Sequence, residues 1–408
     1  MAPQSPFPIQ NIPFGIYSTT SKSARPGVAI GDKIIDLKGL FELELFNDLP
    51  FSSADFNTCV LNTLMKHGKT SMMALRNTII DLLDDKNSIL KEHPQVNSVI
   101  DQQSNATMHL PVHIGDYTDF YSSEDHARNV GMMFRDPEKA LLPNWKHLPV
   151  GYHGRSSSIV VSGTPIHRPS GQTNVTDDTH PVFQPTNQLD FELEMAFITF
   201  EGKPMGQRIS TSEAKDYIFG FVIFNDWSAR DIQRWEYVPL GPFLAKNFAS
   251  TVSPWIVTLE ALEEFHEQGP VQSPEVLSYL KYDGNYNINI DLKVSITTPK
   301  GDDTVVSESN YKYMYWNYAQ QLAHHTVGGC NIRCGDMMAS GTISGPQPGS
   351  YGSMLEIAWK GTKPVQMRDG TERKFILDGD TVTMEAVSIG KQYNIGFGNC
   401  VGQICTNQ

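Results

Sequence analysis

The sequence predicts a mainly β protein with some helix, an α+β chain. A smaller N-terminal domain runs to about residue 115, and a larger, strand-rich domain covers 116–408. Three observations predict this. "YNINIDLKVSI" alternates apolar and polar residues from Tyr286 to Ile296, the period-2 mark of a half-buried strand. "DYIFGFVIFND" is nearly all apolar, as a strand covered on both faces must be. Helical texture is confined to a few stretches, chiefly 54–94.

Residues 1 to about 50 read as short strands and turns, as in "RPGVAIGDKIIDL". "NTLMKHG" is expected to be a helix ending at Gly68, because glycine accepts the left-handed backbone of a helix end. "TSMMALRNTIIDLLDDKNSILKEH" follows as a second helix, closed by Pro94. The texture changes near "MHLPVHIGDYTDF" to strands and long loops. "YKYMYWNYAQQLAHHTVGG" reads as a helix closed by Gly328 and Gly329, and "LDGDTVTMEAVSIG" as a turn and a strand. There is no internal repeat, low-complexity tract or long linker.

The net charge of −13 and the lack of a basic run argue against nucleic acid or an anionic membrane as partner. No window approaches ~18 consecutive apolar residues, and the N-terminus lacks a basic-then-apolar leader. The sequons at Asn105 and Asn174 are therefore taken as chance matches. Five cysteines, Cys59, Cys330, Cys334, Cys400 and Cys405, form an odd, sparse set, expected as reduced thiols in a cytoplasmic protein. "CNIRC" and "CVGQIC" are either a loosely spaced four-sulfur zinc site or ordinary core cysteines.

Several familiar signatures fail. "GFGNCVG" puts Val401 where a dinucleotide fingerprint needs glycine, "HEQGP" lacks a second metal-binding histidine, and "DDKNSILKE" lacks the calcium-loop glycine. Four other stretches carry potential chemistry. In "LDFELEMAF", Leu189, Phe191, Leu193, Met195 and Phe197 fall on one side of a strand and Asp190, Glu192 and Glu194 on the other. That is either an amphipathic strand with a wet face or a row of carboxylates gathered on a cation. In "GDYTDFYSSEDHARNVGMMFRD", Ser122 or Ser123 caps a helix starting near Glu124. Asp119 and Tyr121 then precede the helix and His126 lies in its first turn, as a functional cluster or merely a capped surface helix.

In "FVIFNDWSARDIQRWEYVPLGPFLAKNF", Asp226 ends a strand too apolar for a bare carboxylate. Arg230 and Lys246 are possible ion-pair partners. The aromatics Trp227, Trp235, Tyr237 and Phe243 read as core. In "MMASGTISGPQPGSYGSMLEIAWKG", a glycine-rich loop precedes Glu356, an acid placed in an apolar strand. Together these supply Asp119, Glu192, Glu194 and Asp226 as oxygen donors, a set that suits calcium or magnesium better than zinc or copper.

With these residues in view, the chain resembles the fumarylacetoacetate hydrolase family. The resemblance is carried by "DYTDFYSSEDHARNVGMMFRD", "LLPNWKHLPVGYHGRSSSIVVSGTPI", "LDFELEMAF", "IFNDWSARDIQRWEYVPLGPFL" and "ASGTISGP", and it runs over most of the chain. It implies an N-terminal SH3-like β-barrel domain (1–115, with a helical segment), a catalytic mixed β-roll domain (116–408) and a homodimer. It implies cleavage of the carbon–carbon bond of fumarylacetoacetate to fumarate and acetoacetate, the last step of tyrosine and phenylalanine catabolism. By the same resemblance Asp119, Glu192, Glu194 and Asp226 hold calcium (Ca2+), magnesium (Mg2+) or both, with Lys246 and Ser250 near a second, magnesium-type site. His126 is then the general base, oriented by Glu356; Arg230, Gln233 and Lys246 line the oxyanion region; and Tyr121, Arg135, Gln233, Tyr237 and Thr342 contact substrate.

The chain departs from the family at "GPFLAKNFAST", where the pattern reads "GPFLGKSFGTT": Ala245 replaces a glycine and Ser250 a threonine. Two rival readings are a shorter-chain relative, such as an acylpyruvate hydrolase, and a protein in which the metal is purely structural. The N-terminal domain argues against the first, and a base beside the acids against the second.

Overall fold

The computed structural model describes residues 6–84, 86–87, 89–174 and 180–406. Mixed α and β structure is arranged with strands predominating. Five short strands form an antiparallel sheet in the order Ile100–Gln102, Lys33–Asp36, Arg25–Ile30, Phe14–Ser18, Thr107–His109. Between the third and fourth of these in the chain come the helices Asn62–Met65 and Gly68–Leu83. Gly68 joins them at φ +80°, a left-handed backbone that glycine takes without a Cβ clash. The longer helix buries Met72, Leu75, Ile79 and Leu82, one face at helical spacing.

That helix stops at Leu83, well before Pro94, where the expectation placed its end. Lys86, next at helical spacing after Ile79 and Leu82, is exposed and interrupts the buried face, and Leu90 reaches the same core from outside the helix. Lacking packing, a propagating helix has little to hold it.

A mixed eight-stranded sheet forms the centre. Its order is Gly151–Gly154, Tyr117–Phe120, Met337–Ala339, Leu193–Thr199, Ile218–Asp226, Ser250–Val252, Ile159–Val161, with Val257–Thr258 also pairing on Ile218–Asp226. Alternate residues of its central strands feed two different cores. Met195, Phe197, Phe221 and Ile223 join one; Ala196, Ile198, Val222 and Phe224 join the other, together with Leu75 and Ile79 of the N-terminal helix. All nine residues of Ile218–Asp226 are buried, which is why that stretch reads as unbroken apolar sequence.

A second five-stranded sheet runs Asp303–Asn310, Asp291–Thr297, Thr381–Ile389, Asn394–Cys405, Ile166–His167. The alternation seen from Tyr286 to Ile296 is split between two pieces: Asn287–Ile288 pairs with His266–Glu267, and Asp291–Thr297 belongs to this sheet. Its buried Leu292, Val294 and Ile296 pack into the first of the two cores. The helix expected around 311–327 is shorter, Tyr318–Thr326, because Asn317 and Gln320 form a capping box that fixes its start. The residues before it, Tyr315 and Trp316, are buried in a separate aromatic cluster. All five cysteines are free, and among the described residues they do not gather into a metal-binding group; Cys59 and Cys330 are exposed, so the core reading fits only Cys400 fully.

The helix Glu124–Phe134 carries His126 and packs its Gly131 onto the backbone of Ala140, where a Cβ would lie 2.1 Å from the carbonyl oxygen. Gly131→Ala should therefore lose about 1–3 kcal/mol in urea unfolding, even though alanine favours helix by about 1 kcal/mol. An unchanged or raised midpoint would refute this close approach.

Candidate active site

Strand ends bring the first group together. Asp119 lies on Tyr117–Phe120, Glu194 is second in Leu193–Thr199, and Asp226 closes Ile218–Asp226. Glu194 pairs in register with Phe224, and Asp119 with Ala339. One oxygen from each of the three buried carboxyls lies within 4.8 Å of the others.

The hydroxyl of Tyr117 donates to Asp119 Oδ2 at 2.7 Å; that of Tyr152 lies 3.2 Å from the same oxygen and 2.9 Å from Asp226 Oδ2. Ser250 Oγ donates to Asp226 Oδ1 at 2.9 Å, and Lys246 Nζ to Asp226 Oδ2 at 2.8 Å. Gly341 N–H donates to Glu194 Oε2 at 2.9 Å. Gly341 has φ +77°, and a Cβ there would meet the Phe120 carbonyl oxygen at 2.2 Å, so only glycine brings this N–H to the carboxylate.

Two oxygens of the cluster, Asp119 Oδ1 and Glu194 Oε1, are buried with no hydrogen-bond partner. Burial, then the charge of Asp226, pushes the Asp119 carboxyl well above its usual range. Burial, then Asp119, does the same to Glu194. Orphaned carboxylate oxygens in an all-oxygen cluster fit a hard divalent cation, which satisfies the lone pairs and cancels the mutual repulsion.

Glu192 stands next to this group and outside its set of close oxygens. "LDFELEMAF" is not one strand but two, Leu189–Asp190 and Leu193–Thr199, interrupted where Glu192 bridges to the backbone of Ser353. The break ends the simple alternation. Glu192 Oε1 meets Arg230 Nη1 at 2.7 Å, and its Oε2 accepts from Lys246 Nζ. Burial pushes its carboxyl up, but Lys246, Arg230 and His126 outweigh that and hold it down at about 2. Against the cost of burial, Asp226 and Glu192 keep the Lys246 ammonium firmly protonated.

The second group centres on His126. Ser123 caps the helix Glu124–Phe134 by accepting from His126 N–H, which places the imidazole in the first turn as the sequence implied. Its Nδ1 lies 2.7 Å from Glu356 Oε2. Glu356 sits on a short helix, Met354–Ile357, rather than in the expected strand, because Ser353 caps the turn there. Asn129 Nδ2 and Ser344 Oγ donate to Glu356 Oε1, both at 2.9 Å, and Ser353 Oγ to Oε2 at 2.8 Å. Burial raises the Glu356 carboxyl, but His126 and these donors bring it below its usual range.

The Tyr121 ring lies edge-on to His126, centroids 5.2 Å apart. Gln233 Oε1 accepts from Arg230 Nη1 at 3.2 Å. Thr342 is buried next to Gly341. Arg135 and Tyr237 are farther out and exposed, at the ends of helices Glu124–Phe134 and Arg230–Glu236; Arg135 Nη2 donates to the Ala140 carbonyl at 2.7 Å. Of the four aromatics read as core, only Trp227 is buried; Trp235, Tyr237 and Phe243 face outward, and Phe243 lines a pocket with Tyr152, Asp226 and Lys246.

Sequence reasoning passed over Tyr117, Tyr152, Asn129, Ser344 and Ser353. Tyr117 stands two residues before Asp119 on one strand, and Asn129 three after His126 on one helix, so periodicity could have found both. Tyr152, Ser344 and Ser353 arrive from distant loops and leave no local signal.

Comparison with known proteins agrees along the whole chain. "Fumarylacetoacetase N-terminal" matches residues 10–111, and "Fumarylacetoacetate (FAA) hydrolase C-terminal" matches 116–404. The fumarylacetoacetase of Dictyostelium discoideum is 54% identical over 98% of this chain and 95% of its own length. The human enzyme is 50% identical (99% and 97%), and that of Arabidopsis thaliana 48% (98% and 96%). Among solved structures, a fumarylacetoacetate hydrolase from Exiguobacterium antarcticum shares the fold at TM-score 0.56 and 17% identity, covering 97% of this chain and 99% of that one. A 5-carboxymethyl-2-hydroxymuconate delta-isomerase from Mycobacterium smegmatis shares it at TM-score 0.51 and 14% identity, covering 97% and 100%. Matched in both halves and about half identical to these relatives from end to end, the chain belongs to the fumarylacetoacetate hydrolase family.

Proposed function

We propose that this protein hydrolyses 4-fumarylacetoacetate to fumarate and acetoacetate, the last step of tyrosine and phenylalanine catabolism. The observation that carries the reading is the buried pairing of His126 with Glu356 near three clustered carboxyls, in a chain about half identical to enzymes bearing that name. Asp119, Glu194 and Asp226, with Glu192 beside them, are the residues that would hold calcium or magnesium. A dication bound there supplies positive charge against the enolate charge of the departing acetoacetate.

The protein's own groups do the rest. With its Nδ1–H donated to Glu356, His126 presents Nε2 as a proton acceptor. It takes a proton from water, and the resulting hydroxide adds to the carbonyl on the fumaryl side. Arg230 and Lys246 hold the oxyanion, and Gln233, whose Oε1 is occupied by Arg230, offers its amide N–H. Such donors are worth about 3–4 kcal/mol each in other enzymes. The carbon–carbon bond then breaks, its electrons pass to the acetoacetate carbon, and the proton on His126 returns to that carbon. Tyr121, Arg135, Tyr237 and Thr342 position the substrate's two ends, Arg135 as the cation for a carboxylate.

Ser250 keeps the hydroxyl that the family's threonine would supply and already binds Asp226. We also assign the enzyme to the cytoplasm and to a homodimer. Among the described residues no helix is long and apolar enough to cross a membrane. Val238, Leu240 and Leu244 offer exposed apolar surface for a second copy.

His126→Ala should keep substrate and metal binding but lower kcat about 10²- to 10⁴-fold, read as loss of the substrate's near-ultraviolet absorbance. Near-normal turnover would remove His126 from the chemistry. Exhaustive chelation should abolish turnover and lower the melting temperature, with calcium or magnesium restoring both. Full activity after chelation would sink the metal assignment, and the ion that restores turnover at the lower concentration identifies the preferred one.

A further inference from the structure

The third acid of "LDFELEMAF" takes no part in the scheme above. Asp190 is fully buried, and its strand Leu189–Asp190 pairs with Ser228–Ala229, the two residues before Arg230. Its Oδ2 accepts from Arg230 Nε at 2.8 Å and from Leu355 N–H at 3.0 Å; its Oδ1 accepts from Met354 N–H at 2.7 Å. One carboxylate therefore ties the guanidinium to the first turn of the short helix that carries Glu356.

The rest of Arg230 is equally constrained. Its Nη1 serves Glu192 and Gln233, while Nη2 is buried with no partner. A guanidinium is a rigid planar fork, so fixing Nε and Nη1 fixes the direction of Nη2. A buried donor left unpaired is costly unless something else fills its place.

We propose that Asp190 is a positioning residue. It holds Arg230 so that Nη2 points at the substrate's developing oxyanion, and it keeps that donor in register with the Glu356–His126 pair. This rests on the proposed reaction. The carboxylate at 190 is distinguished from its neighbours in sequence: Glu194 belongs to the metal cluster, Glu192 to the Lys246 and Arg230 ion pairs, and Asp190 to the coupling of the two halves of the site.

The test is a double-mutant cycle on fumarylacetoacetate turnover with Asp190→Asn, Arg230→Gln and the double variant. Asparagine keeps the size and one acceptor for the Met354 N–H, but the amide cannot accept from Arg230 and both backbone N–H groups as the carboxylate does. Asp190→Asn alone should lower kcat about 10- to 100-fold, with KM changed far less. In the Arg230→Gln background the same change should cost less than about twofold, because the residue it acts through is already gone. Equal factors in both backgrounds, or an unchanged kcat in the single variant, would overturn the positioning role. Asp190→Ser replaces Asp190→Asn if circular dichroism shows the latter unfolded. A wild-type chain without turnover defeats the proposed reaction and this role with it, whereas an active wild type with multiplicative factors defeats this role alone.

Discussion

Five carboxyls, Asp119, Asp190, Glu192, Glu194 and Asp226, are buried around two buried cations, Arg230 and Lys246. Removing an ionised carboxylate from water is expensive, and it persists inside a protein only if paired, hydrogen-bonded or bound to metal. The two cations account for Asp190, Glu192 and one oxygen of Asp226. Asp119 and Glu194 are left with partial satisfaction, from tyrosine hydroxyls and a single backbone N–H. That imbalance organises the site: the fold has gathered more negative charge than its own groups offset.

The architecture makes such a gathering possible because strands covered on both faces are rigid and exclude water. Leu193–Thr199 and its neighbour Ile218–Asp226, with Tyr117–Phe120 one strand beyond Met337–Ala339, deliver carboxyls to one place in fixed register, and the glycine at 341 opens the backbone to a single N–H contact. The proposed base lies on a different kind of support. His126 and Glu356 come from a capped helix and a second, short capped helix, and against the cost of burial His126, with the donors Asn129 and Ser353, brings the Glu356 carboxyl below its usual range. The His126–Glu356 pair and the carboxyl cluster are thus built separately and brought together by long-range packing, as the proposed reaction requires.

Much of the fold's character was legible in local pattern. The buried strand ending at Asp226 reads directly from its apolar run, and the Ser123 cap with His126 in the first turn reads from helix-start chemistry. What local pattern misjudged was continuity. Period-2 alternation through 189–197 suggested one strand, yet Glu192 leaves the ladder to bridge Ser353, a tertiary contact that alternation cannot encode. The helix expected to reach Pro94 stops where the exposed Lys86 interrupts its buried face, and Glu356 lies on a short serine-capped helix instead of the expected strand. Residues such as Tyr152 and Ser344 enter the site through contacts between distant segments. The family resemblance names the acids, but the fold separates Glu192, held by cations, from the cluster of Asp119, Glu194 and Asp226.

We propose that one or more divalent cations, rather than protons alone, complete this cluster. Equilibrium dialysis of the native protein against calcium or magnesium, followed by elemental analysis, tests it most directly. Tightly held dication is expected in the wild-type chain, and its loss in Glu194→Gln, with the fold intact by circular dichroism. Equal dication content in the two proteins, or none in either, would contradict it.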